Sequence, residues 1–196
     1  MNQTNTKLLT DILRKIASTP HVKPGEVPDI DLYMDQVTTF MDEHLKDTRR
    51  HEDDKILTKT MINNYTKKKL LPHPSKKRYS KEHLLLLIFI YYLKDFLPLT
   101  DIQMILAPII DRFFQTDATI SIESIYAEAY ELSEEWVNII CHDVMDSWHT
   151  ASNSFGDCPD EDRESLQIFS FICMLSFDIY LKKQVIEQMI DGLNIS

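Results

Sequence analysis

The chain has 196 residues, of which 43% are hydrophobic and only three are glycine, and its formal net charge is −10. Glycine supplies the backbone conformations that tight hairpins and phosphate-binding loops need, so its scarcity argues against an all-β fold and a glycine-rich phosphate loop. The three cysteines form no CxxC pair and indicate reduced thiols rather than a disulfide framework.

The N-terminal third is predicted to hold two amphipathic helices separated by a linker. Apolar residues at helical spacing predict helices over 6–18 and 29–46. Residues 20–28 contain three prolines and one glycine, which prevent a helix there and predict a linker. The polar stretch 47–54 is expected to form a loop.

Three further helices are predicted in the middle of the chain. The first covers 58–70 and begins at a threonine N-cap. The second covers 81–96, with Ser80 as its N-cap. A short third helix over 100–106 is expected to end before Pro108, because proline breaks helix interiors.

The C-terminal half is acidic and is predicted to form two long helices, over 121–150 and 162–193. Apolar residues of 166–190 cover most of the helix circumference, which predicts a helix buried on all sides, either within a helical domain or in a dimer interface. Its aromatic and methionine residues leave open a pocket for a small-molecule effector, although core packing is the commoner explanation.

The sequence offers little catalytic or metal-binding chemistry. His142, Asp146 and His149 share one helical face and are a possible metal trio, but they lie opposite the apolar stripe, which favours a solvated face. No nucleophile is accompanied by a base and an orienting group. We therefore expect a protein that is not an enzyme and needs no cofactor.

No membrane association is expected. The segment MNQTNTKLLTDILRK lacks an apolar signal core, and the longest unbroken apolar run, 84–93, is too short to span a bilayer. These features predict a cytoplasmic protein.

The most informative feature is a basic segment over residues 55–81. It carries nine Lys and Arg side chains and no Asp or Glu, which leaves the remainder of the chain with a net charge of −19. A strongly positive segment in an acidic background attracts a polyanion while the rest of the surface repels one. On a helical wheel, the helix over 58–70 places apolar residues on one side and hydroxyl, amide and ammonium groups on the other. Asparagine can pair with adenine in the major groove, and lysine can contact guanine or phosphate.

Residues 58–71, TKTMINNYTKKKLL, resemble the recognition helix of mercury-resistance-regulator (MerR) type winged helix-turn-helix proteins. The Ser/Thr cap, the tyrosine and the closing Leu-Leu keep that family's spacing. The Arg-x-Tyr-Ser pattern that closes the family's wing corresponds to KRYS at residues 77–80, so Lys77 takes the phosphate-contacting arginine position. Lys69 replaces a glycine that follows the recognition helix in the family. The connection that precedes this helix is also longer here.

A closer resemblance includes DIDLYMDQV and LTKTMINNYTKKKLLPHPSKKRYS. These segments are similar to an uncharacterised bacterial family catalogued as domain of unknown function 1836, over roughly 29–106. Membership implies a DNA-binding fold.

The predicted protein is an all-α transcriptional regulator that binds double-stranded DNA, with a homodimer expected. An N-terminal helix and linker (1–28) would precede a MerR-like winged helix-turn-helix (29–106) and a helical dimerisation or sensing region (107–196). The alternative is a protein-interaction adaptor that docks its basic surface on an acidic partner. The residues expected to contact DNA are Lys59, Thr60, Asn63, Asn64, Tyr65, Lys67, Lys68, Lys76, Lys77 and Arg78.

Overall fold

The fold is mostly helical, as predicted. A computed structural model of the chain describes residues 3–18 and 21–193, apart from the side chain of Glu134. The helices are α1 (Gln3–Ser18), α2 (Met34–Leu45), α3 (Lys59–Lys67), α4 (Lys81–Leu93), α5 (Leu99–Phe113), α6 (Ile122–Ser152) and α7 (Asp160–Leu193). Strands β1 (Leu32–Tyr33) and β2 (Arg78–Tyr79) pair antiparallel, with Leu32 opposite Tyr79 and Tyr33 opposite Arg78.

The helices predicted over 58–70 and 81–96 end three residues early, at Lys67 and Leu93, and two other boundaries differ more. Residues 29–33 precede α2 instead of opening it, and Leu32–Tyr33 forms β1 by pairing with a segment far along the chain. Helix α5 does not stop at residue 106 but continues through Pro108 to Phe113. The proline side chain is exposed, while Ile102 and Leu106 of the same helix are buried in the core. Burial of this apolar face offsets the helix hydrogen bond that a proline cannot donate.

The chain divides into two compact units. A central unit comprises Pro20–Glu131, and a terminal unit comprises Met1–Thr19 together with Leu132–Ser196. The division falls inside α6, whereas the boundaries expected from the sequence were at residues 28 and 106.

The core of the central unit is built around α4. The five consecutive side chains of Leu84–Ile88 are each 0% exposed, so α4 is buried on several faces at once. Around it lie buried apolar residues of α2, α3 and α5, namely Val37, Met41, Leu45, Ile62, Tyr65, Ile102 and Leu106. Packing on all sides explains how α4 remains stable without a polar face.

The segment predicted as a linker is packed into the central unit over its described part. Val22 and Val27 are 1% and 3% exposed, and the Tyr126 hydroxyl donates a 2.5 Å hydrogen bond to the Val22 carbonyl. Prolines prevent an α-helix there, as predicted, but they do not prevent burial. Residue 20 lies outside the described residues.

The terminal unit has a smaller core between α1, α6 and α7. Leu9, Trp148, Ala151 and Phe171 form its buried centre, with the Trp148 and Phe171 rings edge to face at 5.0 Å. The buried Gln167 amide donates hydrogen bonds of 2.7 and 3.1 Å to the carbonyls of Ser152 and Ser154. These bonds fix the start of α7 against the end of α6.

Within the single chain, residues 166–190 are not buried on all sides, so burial inside a helical domain is wrong and burial in a dimer interface stays a prediction. Phe169, Phe177 and Met189 are 63%, 60% and 66% exposed, because α1 and α6 cover only one side of α7. Within residues 3–18 and 21–193, α7 is the one helix long and apolar enough to cross a membrane by length and composition, and 11% of its apolar window is buried.

Candidate nucleic-acid interface

Helix α3 begins at the predicted N-cap. The Thr58 hydroxyl oxygen accepts a 3.2 Å hydrogen bond from the Met61 backbone N–H, and Thr58 itself is extended. Ile62 and Tyr65 are 0% and 3% exposed, which anchors one side of this short helix in the central core. The opposite side is therefore held at the surface in a fixed rotation.

That outer side brings together four of the predicted DNA-contacting residues. Thr60, Asn63, Asn64 and Lys67 are exposed and follow one another at the spacing of a single helix face. They line a shallow surface groove of about 400 Å³ along α3. This face therefore presents amide, hydroxyl and ammonium groups, and Met61 is the apolar residue that lines the groove with them.

Tyr65 does not belong to this face, which disfavours its predicted role in holding a phosphate. Its side chain is 3% exposed, and burial, with a smaller contribution from the charge of Asp95, raises the pKa of its hydroxyl. Tyr65 anchors α3 from within. The wheel had already placed it with Met61 and Ile62 on the apolar side.

A lysine closes α3 in the position that glycine usually takes. Lys69 has a left-handed backbone with φ 58°. The Leu70 N–H donates to the Tyr65 carbonyl at 2.9 Å and the Lys69 N–H donates to the Thr66 carbonyl at 3.1 Å, which is the hydrogen-bond pattern of a Schellman motif. The replacement of glycine by Lys69 therefore leaves the turn geometry intact, but with a side chain at a strained position.

The basic turn, residues 75–78, has two more lysines in this conformation. Lys76 and Lys77 have φ 49° and 64°, and the Arg78 N–H donates a 2.9 Å hydrogen bond to the Ser75 carbonyl. Two positive φ values at the centre define a type I′ turn, in which Asn and Gly are favoured. The turn leads directly into β2, whose pairing with β1 fixes it against the start of α2.

Tyr33 is an exposed aromatic residue next to the basic turn that no sequence pattern predicts. It is 56% exposed, and the Arg78 guanidinium lies 6.0 Å from the centre of its ring. Its place beside the basic turn comes from the pairing of β1 with β2, which is a long-range contact. No local pattern in the sequence indicates this pairing.

Few of the basic side chains are neutralised. Lys59 pairs with Asp35, and Lys81 pairs with Glu123 at 2.6 Å. Among the described residues, seven exposed cations of the segment make no ion pair, and these are Lys55, Lys67, Lys68, Lys69, Lys76, Lys77 and Arg78. The two basic stretches are joined by 70–75, where Leu70 and Leu71 are buried.

The opposite end of α3 is acidic. Glu52, Asp53 and Asp54 line a groove that extends to Thr58, and Asp35 pairs with Lys59. Positive potential is therefore concentrated at the C-terminal end of α3 and at the basic turn. Of the predicted contacts, Lys59 is the one that the structure pairs with a carboxylate.

His83 caps the helix that follows the basic turn and β2. The Ser80 backbone N–H donates a 3.0 Å hydrogen bond to His83 Nδ1, so this ring closes the N-terminus of α4 directly after β2. The ring lies 5.5 Å from Tyr79 and 4.8 Å from Phe114, and it is 1% exposed. Burial lowers the pKa of His83 to about 4, against smaller opposing effects of the His73 and Pro72 backbone and of Asp31. The fold therefore holds this ring neutral.

The metal-binding side chains in the described part of the chain lie apart from one another. There, no three His, Cys, Asp or Glu side chains are grouped as metal ligands would be. His142, Asp146 and His149 are all exposed on α6.

Comparison with protein families matches residues 22–129 to DUF1836, a domain of unknown function, and this match covers more than half of the chain. The chain belongs to the DUF1836 family. The DUF1836 region contains the whole basic segment, α3 and the basic turn, and it begins at the packed segment that starts with Val22. The match is longer at both ends than the 29–106 expected from the sequence. No curated protein and no solved structure matches the chain.

Proposed function

We propose that this DUF1836 protein is a cytoplasmic transcriptional regulator, without enzymatic activity, that binds double-stranded DNA through a MerR-like winged helix-turn-helix. Helix α2 and helix α3 supply the helix pair, and the basic turn with β2 takes the place of the wing. A small-molecule effector bound within residues 107–196 stays a prediction.

One observation carries the proposal. Lys69, Lys76 and Lys77 keep left-handed backbones in places where glycine or asparagine would fit better. A non-glycine residue in this conformation costs about 1 kcal/mol or more. Strain that persists at three exposed lysines of one basic segment supports a function for their ammonium groups, and phosphate binding is the function that uses them.

The dimensions and chemistry of α3 suit the major groove. Its nine residues span about 13 Å along the axis, and the ordinary helix diameter of about 10–12 Å fits a groove about 12 Å wide. Asn63 and Asn64 would pair with base edges, while Thr60 and Lys67 would contact bases or phosphates beside them. The unpaired cations on either side of 70–75 would hold the sugar-phosphate backbone.

A second candidate function is a protein-interaction adaptor whose basic surface docks on an acidic partner. The acidic residues at the N-terminal end of α3 favour it, because Glu52, Asp53 and Asp54 would repel a phosphate backbone that approached from that side. Competition separates the two functions. Duplex DNA should displace a DNA ligand from this surface but not a specifically docked protein.

The test is selection of genomic DNA fragments by the purified protein, followed by sequencing of the retained fragments. Wild-type protein should enrich a shared, roughly palindromic motif, and Asn63→Ala/Lys67→Ala should lose that enrichment. A matched control, Asn138→Ala/Lys182→Ala, makes the same changes at exposed positions of the terminal unit and should enrich the motif like wild type. If the wild-type protein is soluble and helical but enriches no motif, the proposal fails and the adaptor function is favoured.

A further inference from the structure

Helix α7 has two apolar faces, and the terminal unit uses only one of them. On the inner face, Phe171, Met174 and Leu175 pack with the buried centre formed by Leu9 and Trp148. The side chain of Phe171 is 8% exposed. An amphipathic helix at a protein surface would carry polar residues on its other side.

The other side carries an apolar stripe instead. The outer stripe consists of Phe169, Ile172, Cys173, Ser176, Phe177 and Tyr180, all of them exposed. At 100° per residue these positions fall on one side of the helix, opposite Phe171. Phe169, Ile172 and Tyr180 are 63%, 55% and 53% exposed. The stripe is three turns long and contains no charged side chain.

The area of this surface is close to what a stable interface buries. Ile179 and Leu181 lie beside the outer stripe and are also exposed. Together these residues expose roughly 700 Å² of mostly apolar surface. The largest apolar patch on a typical monomer is about 300–600 Å², and a standard dimer buries about 800 Å² on each partner.

We infer that the outer stripe of α7 binds the same stripe of a second copy of this chain, with the two helices antiparallel across a two-fold axis. The stripe is symmetric about a point between Met174 and Leu175. An antiparallel copy would place Phe169 against Tyr180, Ile172 against Phe177, and Cys173 against Ser176. Large side chains would thus meet at both ends and small ones at the centre, where the helices approach most closely. A surface that is complementary to itself in this way is what a two-fold interface requires.

The charges at the ends of α7 determine how the helices would cross. Asp162 and Glu187 lie in line with the stripe beyond its two ends, and parallel axes would bring them face to face. Crossed axes, as in the common class near −50°, separate these ends while the central three turns stay in contact. The inferred dimer therefore has crossed α7 helices.

A second copy fits this surface better than a lipid bilayer does. Although α7 is long and apolar enough to cross a bilayer, its apolar part, residues 166–181, includes Asp178. Asp178 pairs with Lys182 at 2.7 Å, and the buried Gln167 binds backbone carbonyls of the terminal unit. An apolar stripe three turns long on one side of a helix has the length and width of a contact between two helices.

The first test is the mass of the full chain in solution by sedimentation equilibrium, for wild type, Phe177→Glu and Met189→Glu. Phe177 and Met189 lie on the same helix and are equally exposed, at 60% and 66%, but only Phe177 belongs to the stripe. Wild type and Met189→Glu should be dimers. Phe177→Glu should weaken dimerisation on the order of 100-fold or more, because it buries a charge at the interface. Circular dichroism confirms that each variant is folded.

The second test is disulfide cross-linking, which does not depend on a disruptive substitution. With Cys141→Ser and Cys158→Ser, the remaining Cys173 lies opposite Ser176 of the second copy, where crossed helices bring paired Cα atoms within roughly 6 Å. Adding Ser176→Cys in this background places two cysteines opposite each other, so mild oxidation should give a covalent dimer in higher yield than with Cys173 alone. The control is a chain that retains Cys158 as its only cysteine. It should form no disulfide-linked dimer, and denaturing electrophoresis should show a monomer.

Three results would overturn the inference. A wild-type chain that is monomeric at micromolar concentration has no such dimer. A chain that floats with phospholipid vesicles, but loses this property in Phe177→Glu, uses the stripe for lipid. Dissociation by Met189→Glu together with a dimeric Phe177→Glu would place the interface on another face. None of these measurements involves DNA, so their failure is distinct from failure of the proposed function.

Discussion

At the residue scale, the basic surface is built from side chains placed on unfavourable backbone. Lys69 closes a helix, and Lys76 and Lys77 form the centre of a tight turn. In each place the left-handed conformation is imposed by hydrogen bonds around it and by burial of Leu70 and Leu71. Glycine or asparagine would fit these turns better than lysine, so under the proposed function the lysines are present for the charge they carry.

Replacement of Lys69 separates conformation from charge. Lys69→Gly should stabilise the protein against denaturant by about 1 kcal/mol, because glycine adopts φ 58° without strain. Lys69→Ala removes the same charge but keeps the strain, so its free energy of unfolding should match wild type. Both variants should weaken duplex binding equally. Equal stability of the Gly and Ala variants would show that the left-handed position is not strained.

The same residues show what local sequence can and cannot predict. Thr58 was predicted as an N-cap and Thr60, Asn63, Asn64 and Lys67 as an outer face, because capping and helical periodicity depend on neighbouring residues. The left-handed lysines were not predictable in this way, since lysine has no preference for positive φ. Their conformation follows from tertiary packing on both sides of the turns.

At the element scale, α4 connects the basic turn to the core. The helix is buried along most of its length. Its N-terminus follows β2 directly in the chain and is capped by the His83 ring. The Ser80 N–H donates to Nδ1, so the ring must be unprotonated at that atom for the cap to persist. Protonation of His83 would both remove the acceptor and bury a charge.

His83 should therefore make stability depend on pH in a defined range. Its pKa is about 4 in the fold and about 6.5 in the unfolded chain, so the unfolded chain binds more protons between these values. Stability should fall as pH decreases from about 6.5 to about 4, by up to about 3 kcal/mol. Denaturant unfolding of His83→Gln, which keeps an acceptor for the cap, should show a flatter dependence in this range. His142→Gln, at an exposed position, should behave like wild type. Identical profiles for all three proteins would contradict the assignment.

Two elements also show where periodicity is insufficient. The strand β1 exists because it pairs with β2 some forty-five residues later, so no local pattern could identify it. The sequence of α7 correctly indicated a helix that is apolar around most of its circumference. Periodicity gives the apolar faces of a helix but not what covers them, and here one face has no cover within the described chain.

At the scale of the whole molecule, charge is segregated. The basic segment contributes nine positive charges, and the remainder has a net charge of −19. A polyanion is therefore attracted to one restricted part of the surface and repelled elsewhere, which would orient it before specific contacts form. The DUF1836 region, residues 22–129, contains this segment entirely. Sequence alone was sufficient to find this asymmetry, since net charge needs no structure.

Salt dependence of duplex binding measures how many of these charges meet phosphate. Lys55 is unpaired too but lies beside Glu52, Asp53 and Asp54. The other six unpaired cations predict a log–log slope of about −5 per protomer, and these are Lys67, Lys68, Lys69, Lys76, Lys77 and Arg78. Lys76→Ala/Lys77→Ala should reduce its magnitude to about 3.5 and weaken binding to every duplex alike, because two counterion-releasing contacts are lost. Lys182→Ala/Lys183→Ala removes the same charge from α7 and should leave the slope unchanged. An unchanged slope in the first variant would remove the basic turn from the interface. An equal reduction in both variants would mean that net charge, rather than this surface, attracts the DNA.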